Sequence, residues 1–194
     1  MTPAARLQDN LQAYLNILNS TDAKDLDIIV FPESTLNNND EATFVPNPEK
    51  QQITPCDDNS GDYHTFLQQI SCAARRLGIY VVINLTEKEW CSTIPEDTRK
   101  CATTGLNIFN TNVVFNRNGV VISRYRKVHL YGENKNTTFV PEQGWFDTDF
   151  GVRFGHFICF DILFYSPAQV LVESIKDFIF TSMWFSQLPF LTGE

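Results

Sequence analysis

The chain has 194 residues, a length that fits one domain with a sizeable core. Hydrophobic residues make up 43% and charged residues 20%, a balance that excludes a disordered chain. The formal net charge is -8 and there is no dense run of Lys or Arg, so a phosphate backbone is a poor partner and no nucleic acid is expected.

Leu7, Leu11, Leu15 and Leu18, with Tyr14 on the same stripe, predict an amphipathic helix over residues 4–18. Residues 26–31 form a short apolar run that stops at Pro32, as a buried strand does. Residues 36–61 are rich in Asn, Asp, Pro and Gln and predict a long loop, a class that often carries function. Helical spacing resumes over 63–77 (Phe66, Leu67, Ile70, Ala73, Ala74, Leu77), with Gly78 placed to close the helix. A strand follows from Ile79 to Leu85, then a polar loop over 86–104. Residues 107–116 and 120–126 predict two strands joined by Asn116-Arg117-Asn118-Gly119, where Asn-Gly marks a hairpin. Another loop is predicted over 131–148, and a buried strand from Val152 to Phe160. Ser166-Pro167-Ala168-Gln169 predicts a helix start, with Ser as cap, Pro at the first position and Gln three residues after the cap. That helix is expected to run to Lys176, with a further strand starting at residue 178.

Strands alternating with helices predict a layered α/β sheet with helices on at least one face. The sixteen Phe residues predict an aromatic-rich core. The chain opens inside the first predicted helix and stops just after a strand-like run. Both ends are therefore expected to be cuts through one larger domain, and residues 1–194 alone are expected to be poorly soluble or inactive.

No stretch approaches the ~20 apolar residues that span a bilayer, and Met1-Thr2-Pro3-Ala4-Ala5-Arg6 has no apolar signal-peptide region. Two features still point outside the cytosol. Cys56, Cys72, Cys91 and Cys101 lie in or beside loop-like segments, apart from Cys159 in its apolar run. Asn19, Asn84 and Asn136 each begin an N-x-[ST] sequon and are glycosylation candidates.

Three segments share one pattern, an apolar strand that ends on a reactive side chain. Glu33 follows Ile28-Ile29-Val30-Phe31-Pro32, Lys127 follows 121–126, and Cys159 follows 154–158. In open α/β sheets, sites form at the carboxyl ends of strands, so a carboxylate, an ammonium and a thiol would converge there. The combination suits amide hydrolysis. A thiolate attacks, but a free Cys has a pKa of about 8.5 and needs help to ionise. A carboxylate takes its proton and later passes it to the leaving amine. An ammonium, with the backbone N–H of Phe160, stabilises the oxyanion. A Cys159–His129 dyad is the competing arrangement and ranks lower, because His129 reads as a packed or substrate-adjacent residue. No metal or other cofactor is expected: no C-x-x-C or H-E-x-x-H occurs, and His64, His129 and His156 are scattered.

Val30-Phe31-Pro32-Glu33-Ser34, Tyr125-Arg126-Lys127-Val128-His129-Leu130 and Gly155-His156-Phe157-Ile158-Cys159-Phe160-Asp161 resemble, in this order, the three motifs of the nitrilase (carbon-nitrogen hydrolase) superfamily. The resemblance implies a nitrilase-type α-β-β-α sandwich, here lacking its first strand and its C-terminal part. It implies Glu33 as base, Lys127 as oxyanion stabiliser and Cys159 as nucleophile. Glu133, Phe160 and His129 fall where substrate is positioned. Cys159-Phe160-Asp161-Ile162-Leu163-Phe164, Ser166-Pro167-Ala168 and Gly132-Glu133-Asn134 are similar to the vanin/biotinidase branch. That branch implies a secreted or membrane-anchored glycoprotein with disulfides, any anchor lying in the missing C-terminal part. Its substrate would be a small amide, pantetheine or biocytin. Cys91 and Cys101 flank one short loop, which leaves Cys56 with Cys72, but four cysteines allow three pairings and the sequence does not choose. Oligomeric state is left open.

Overall fold

The computed structural model describes residues 1–139, 142 and 144–183. Its first sheet has four strands in the order β1 (Ile28–Val30), β2 (Tyr80–Trp90), β3 (Leu106–Phe115) and β4 (Val121–Arg126). β1 and β2 are parallel, and the other pairs are antiparallel. Side chains alternate across a strand, so each residue's face follows from its parity. Val81, Ile83 and Leu85, with Val113 and Phe115, face the helices α1 (Pro3–Leu18) and α2 (Thr65–Leu77) and pack on Leu7, Leu11, Leu18, Phe66 and Ile70. Thr2 caps α1 by accepting from Ala5 N at 3.2 Å, so the helix begins within the chain rather than before it. Gly78 closes α2 in the left-handed region at φ 65°, as its place in the sequence predicts. Gly119, in the hairpin turn at φ 75°, admits no side chain, because a Cβ there would lie 2.4 Å from the Ser71 carbonyl oxygen.

The opposite face of this sheet packs on a second one, ordered β5 (Trp145–Asp147), β6 (Arg153–Ile158) and β7 (Asp177–Thr181). Tyr80, Val82 and Val114 meet Phe146 and Ile179 between the sheets. α3 (Val170–Ser174) covers the far side, where Leu171 fills the space left by Gly155. The layers are therefore helix, sheet, sheet, helix, and phenylalanines populate all three hydrophobic clusters.

The structure departs from the sequence expectations at three elements. β2 runs five residues beyond Leu85, through a stretch that reads as polar loop. Its Glu87 looks solvent-facing by type but is buried, held by arginines of β4. β5 was expected to be loop, since three residues are too few for a periodicity; Arg153 of β6 stacks over the Trp145 ring at 3.9 Å and pairs with Asp147 to hold it. Ser166 is extended (φ -109°, ψ 128°) as a cap should be, but it lies inside a helical turn, Tyr165–Gln169, whose cap position is Phe164. Gln169 donates forward to Glu173, and α3 ends at Ser174 rather than Lys176. Cys56 pairs with Cys72 and Cys91 with Cys101, with Cα separations of 4.9 and 5.9 Å, which decides among the three pairings.

The long loop after β1 lies over the free side of β2. Asn37 pairs with the Thr86 backbone in both directions, at 2.9 and 2.7 Å, and Lys88 N donates to Thr43 O at 2.7 Å. The loop thus satisfies backbone groups that β1 is too short to reach. Beneath it sits an ionic cluster. Glu87 accepts from Arg124 (3.0 Å), Arg126 (3.0 Å) and Thr111 (2.7 Å), and the Arg126 guanidinium lies 4.0 Å over the Phe109 ring. Burial pushes the Glu87 carboxyl up, but the two arginines outweigh it and hold it below the usual carboxylate range. Removing Glu87 takes a buried acceptor from both arginines, but Arg124 keeps Glu142 and Arg126 keeps Glu89, so the loss falls at the low end of that for a broken buried pair, about 3 kcal/mol. Glu87→Ala is therefore expected to lose about that much stability, read by chemical denaturation, with Glu87→Gln losing less because it still accepts from one arginine.

Candidate active site

The sheet that carries this cluster on one face carries the site on the other. Thr111 and Arg126 point to the helices, so their neighbours Asn110, Asn112 and Lys127 point between the sheets, and Lys127 N donates to Asn110 O at 2.8 Å. Asn84 of β2 lies beside them and donates to Asn110 Oδ1 (2.7 Å) and Asn112 Oδ1 (3.1 Å). A buried polar column therefore runs across the first sheet to the carboxyl ends of β1 and β4.

Glu33 sits just past β1. Phe31 continues the pairing with Val82 O (2.9 Å), and its ring stacks on Tyr14 of α1 at 3.9 Å. The chain then turns at Ser34, which is left-handed at φ 55°, and Ser34 N donates to Asn84 Oδ1 at 2.8 Å. Tyr14 also holds Thr35 at 2.6 Å. These contacts fix the turn that aims Glu33 inward, where it is 3% exposed.

Lys127 Nζ lies 2.8 Å from Glu33 Oε1 and 2.5 Å from Glu133 Oε1. Burial alone would push the Lys127 ammonium down, but the two carboxylates more than reverse this and hold it above its usual value. It therefore stays cationic. Burial likewise opposes ionisation of Glu133, yet Lys127 and Asn110 bring its carboxyl below the usual range. Lys135, 3.7 Å from Glu133, is pushed down by burial. Asn136 clamps this loop to β3, with Ile108 N donating to its Oδ1 at 2.8 Å.

Cys159 opens the turn after β6 and is left-handed at φ 46°, a conformation that costs a non-glycine residue of order 1 kcal/mol. Asp161, fully buried, holds the turn. Its Oδ2 accepts from Ile158 N (3.2 Å) and Tyr125 Oη (2.7 Å), and its Oδ1 accepts from His129 N (2.8 Å). One carboxylate thus ties the Cys159 turn to the strand that delivers Lys127. Burial and Asp161 push the Tyr125 hydroxyl up, so it remains a donor. The Cys159 thiol is itself pushed up, by burial first and by the adjacent Glu33 carboxylate, against lowering by Ser182 and Lys127. At rest it carries its proton.

Glu33, Lys127, Glu133, Cys159 and Phe160 line one cavity of about 260 Å³, with Ser182 also on its wall. Tyr131, Ile162, Leu163, Phe180 and Met183 complete mainly apolar walls. His129, expected beside substrate, is not among the lining side chains. Its Nδ1 meets Asp161 at 3.0 Å and its ring stacks flat on Phe164 at 3.6 Å, so it braces the turn and forms no dyad with Cys159. Asn84, a glycosylation candidate by sequon, is 1% exposed with its Nδ2 committed to Asn110 and Asn112, and a glycan has no room there. Asn19 is exposed and Asn136 half-buried. Glycopeptide mapping of the protein from a secretory host is expected to find Asn84 unmodified; a glycan on it would contradict the packing of the column. Among the described residues no group of three or more His, Cys, Asp or Glu side chains is arranged to hold a metal ion.

Comparison with known proteins places this arrangement in a family. The profile of the family described as Carbon-nitrogen hydrolase matches residues 1–191. The chain belongs to the carbon-nitrogen hydrolase family. Vanin-like protein 2 of Drosophila melanogaster is 64% identical over 98% of this chain and 37% of its own length. Human biotinidase is 38% identical over 96% of the chain and 36% of its own length. The chain thus spans little more than a third of the length of these relatives. A Saccharomyces cerevisiae member of the nitrilase superfamily, at 22% identity and covering 95% of this chain and 60% of its own, has a TM-score of 0.61, which shows the shared fold.

Sequence reasoning missed Asn84, Asn110, Asn112 and Asp161 as parts of the site. A signal was present for the first three: Asn at alternate positions inside apolar strands, which leaves polar groups on a face that is otherwise buried.

Proposed function

We propose that this chain carries the catalytic centre of a thiol-dependent amidase that works through a thioester. The observation that carries the reading is the meeting of Glu33, Lys127 and Cys159 on one cavity, with the ammonium 2.8 Å from the carboxylate. Cys159 Sγ attacks the amide carbon as Glu33 takes the thiol proton. The oxyanion forms against Lys127 and the backbone N–H of Phe160. Glu33 returns its proton to the departing amine, leaving the acyl group on sulfur. Water then attacks the thioester with Glu33 as base, the C–S bond breaks, the acid leaves, and the proton Glu33 took from water returns to the Cys159 sulfur. A thiol that is protonated at rest needs such a base, and a lysine held cationic suits charge stabilisation rather than proton abstraction.

Pantetheine is the proposed substrate, giving pantothenate and cysteamine. Support comes from the vanin-like relatives at 64% identity and from a human pantetheine hydrolase, 40% identical over 77% of this chain. The apolar walls suit a neutral acyl chain. Biocytin, giving biotin and lysine, is the alternative, supported by the biotinidase relatives. Two disulfides support an extracellular setting, where such bonds persist. Offered both amides side by side, the protein is expected to release cysteamine faster than lysine. Faster lysine release would move the assignment to the biotin amide, and release of neither amine would overturn both.

A further inference from the structure

Asn110 touches both carboxylates of the site, and the chemistry above leaves it without a role. It lies within β3, fully buried. Its Nδ2 donates to Glu33 Oε1 at 2.8 Å and to Glu133 Oε2 at 2.8 Å. An amide nitrogen carries two hydrogens, so both are used. Its Oδ1 accepts from Asn84 Nδ2 at 2.7 Å, and Asn84 Oδ1 accepts from Ser34 N at 2.8 Å. These partners fix the amide's orientation, because the flipped amide would aim a carbonyl at two carboxylates. They also tie Asn110 to the residue that follows Glu33.

Glu33 Oε1 accepts from Lys127 Nζ as well, so it holds two donors and Oε2 holds neither. The carboxylate torsion is broad and two-fold, so an ammonium alone, a point charge with rotatable hydrogens, does not choose between the oxygens. A second donor fixed in the sheet does.

We propose that Asn110 is a positioning residue: with Lys127 it occupies Oε1 of Glu33 and reserves Oε2 for the proton of Cys159. The proposal rests on the reading of Glu33 as base. Five groups surround the carboxylate: Asn110 from β3, Lys127 from the end of β4, Glu133 and Lys135 from the loop beyond, and Cys159 from the turn after β6. Asn110→Leu changes none of their charges, so its effect is one of orientation.

The test is the rate at which iodoacetamide alkylates Cys159 at near-neutral pH, in the protein, Asn110→Leu, Glu33→Gln and the double variant, with each melting transition recorded. Asn110→Leu is expected to slow alkylation about tenfold, part of the 10²–10⁴ that a placed base supplies. Glu33→Gln should slow it at least as much. The double variant should be no slower than Glu33→Gln alone, since no base remains to orient. A merely structural asparagine would lower the melting temperature and leave the rate unchanged. An unchanged rate in Asn110→Leu, or additive slowing in the double variant, overturns the proposal. An unchanged rate in Glu33→Gln overturns the base assignment, and the proposal with it. If Asn110→Leu does not melt cooperatively, Asn110→Ala likewise removes the donors without adding a charge beside Glu33 and Glu133, and carries the same comparison.

Discussion

Cys159→Ala is expected to lower kcat for amide hydrolysis by about 10⁴-fold or more while the protein keeps its cooperative melt. Nucleophile deletions in enzymes whose catalytic groups act as a unit cost this much, and what survives comes from binding and the oxyanion site. The fold should tolerate the change. Cys159 is only partly buried and is the free cysteine of the described residues, so no disulfide is broken. Its left-handed backbone, φ 46°, supplies a second expectation. Glycine adopts that region without strain, so Cys159→Gly should melt no lower than Cys159→Ala even though it removes one more carbon. Thermal melts of the two variants, read beside their turnover, check both points.

The second large effect is expected at Lys127. Lys127→Met keeps the stem and deletes the charge, leaving Glu33 and Glu133 buried together with Asn110 as their shared donor. The stability loss is expected to be about 3–5 kcal/mol at neutral pH, and kcat should fall about 10²–10³-fold with the oxyanion partner gone. The pH dependence separates this from simple loss of packing. In the parent protein the Glu133 carboxyl is held below its unfolded value, so its contribution is present at neutral pH and is lost as pH falls through the depressed value. The Lys127 ammonium is held above its unfolded value, so its contribution is present at neutral pH and is lost as pH rises through the raised value. In Lys127→Met the cation that lowers the Glu133 carboxyl is gone while its burial remains, so its folded value rises above the unfolded one, which reverses the slope. Between roughly pH 7 and pH 5 the variant should gain stability while the parent does not. Denaturant titrations across that range check it; parallel slopes would show that the ammonium does not neutralise the pair.

Much of this arrangement was legible in the sequence because each side chain proposed for catalysis closes an apolar run. Pro32, the end of the hairpin at Arg126, and the break after Ile158 mark strand ends, and strand ends in layered α/β folds converge on sites. The helices were legible for the same reason, since Leu7, Leu11, Tyr14 and Leu18 form one stripe. What escaped reading is held by contacts between distant segments. Glu87 extends β2 only because Arg124 and Arg126, two strands away, neutralise it. The short β5 exists because Arg153 stacks on Trp145. Asn84 passes for a glycan acceptor until the column with Asn110 and Asn112 is seen. Asp161 resembles any turn aspartate until Tyr125 and His129 are found on it.

The most direct measurement is acid-quench mass spectrometry of the protein mixed with excess pantetheine. A pantothenoyl group on the peptide that carries Cys159, absent from the Cys159→Ala variant, is the predicted result. Cysteamine release at an unchanged rate from Cys159→Ala, or an acyl group on any other residue, would contradict the assignment of sulfur as nucleophile.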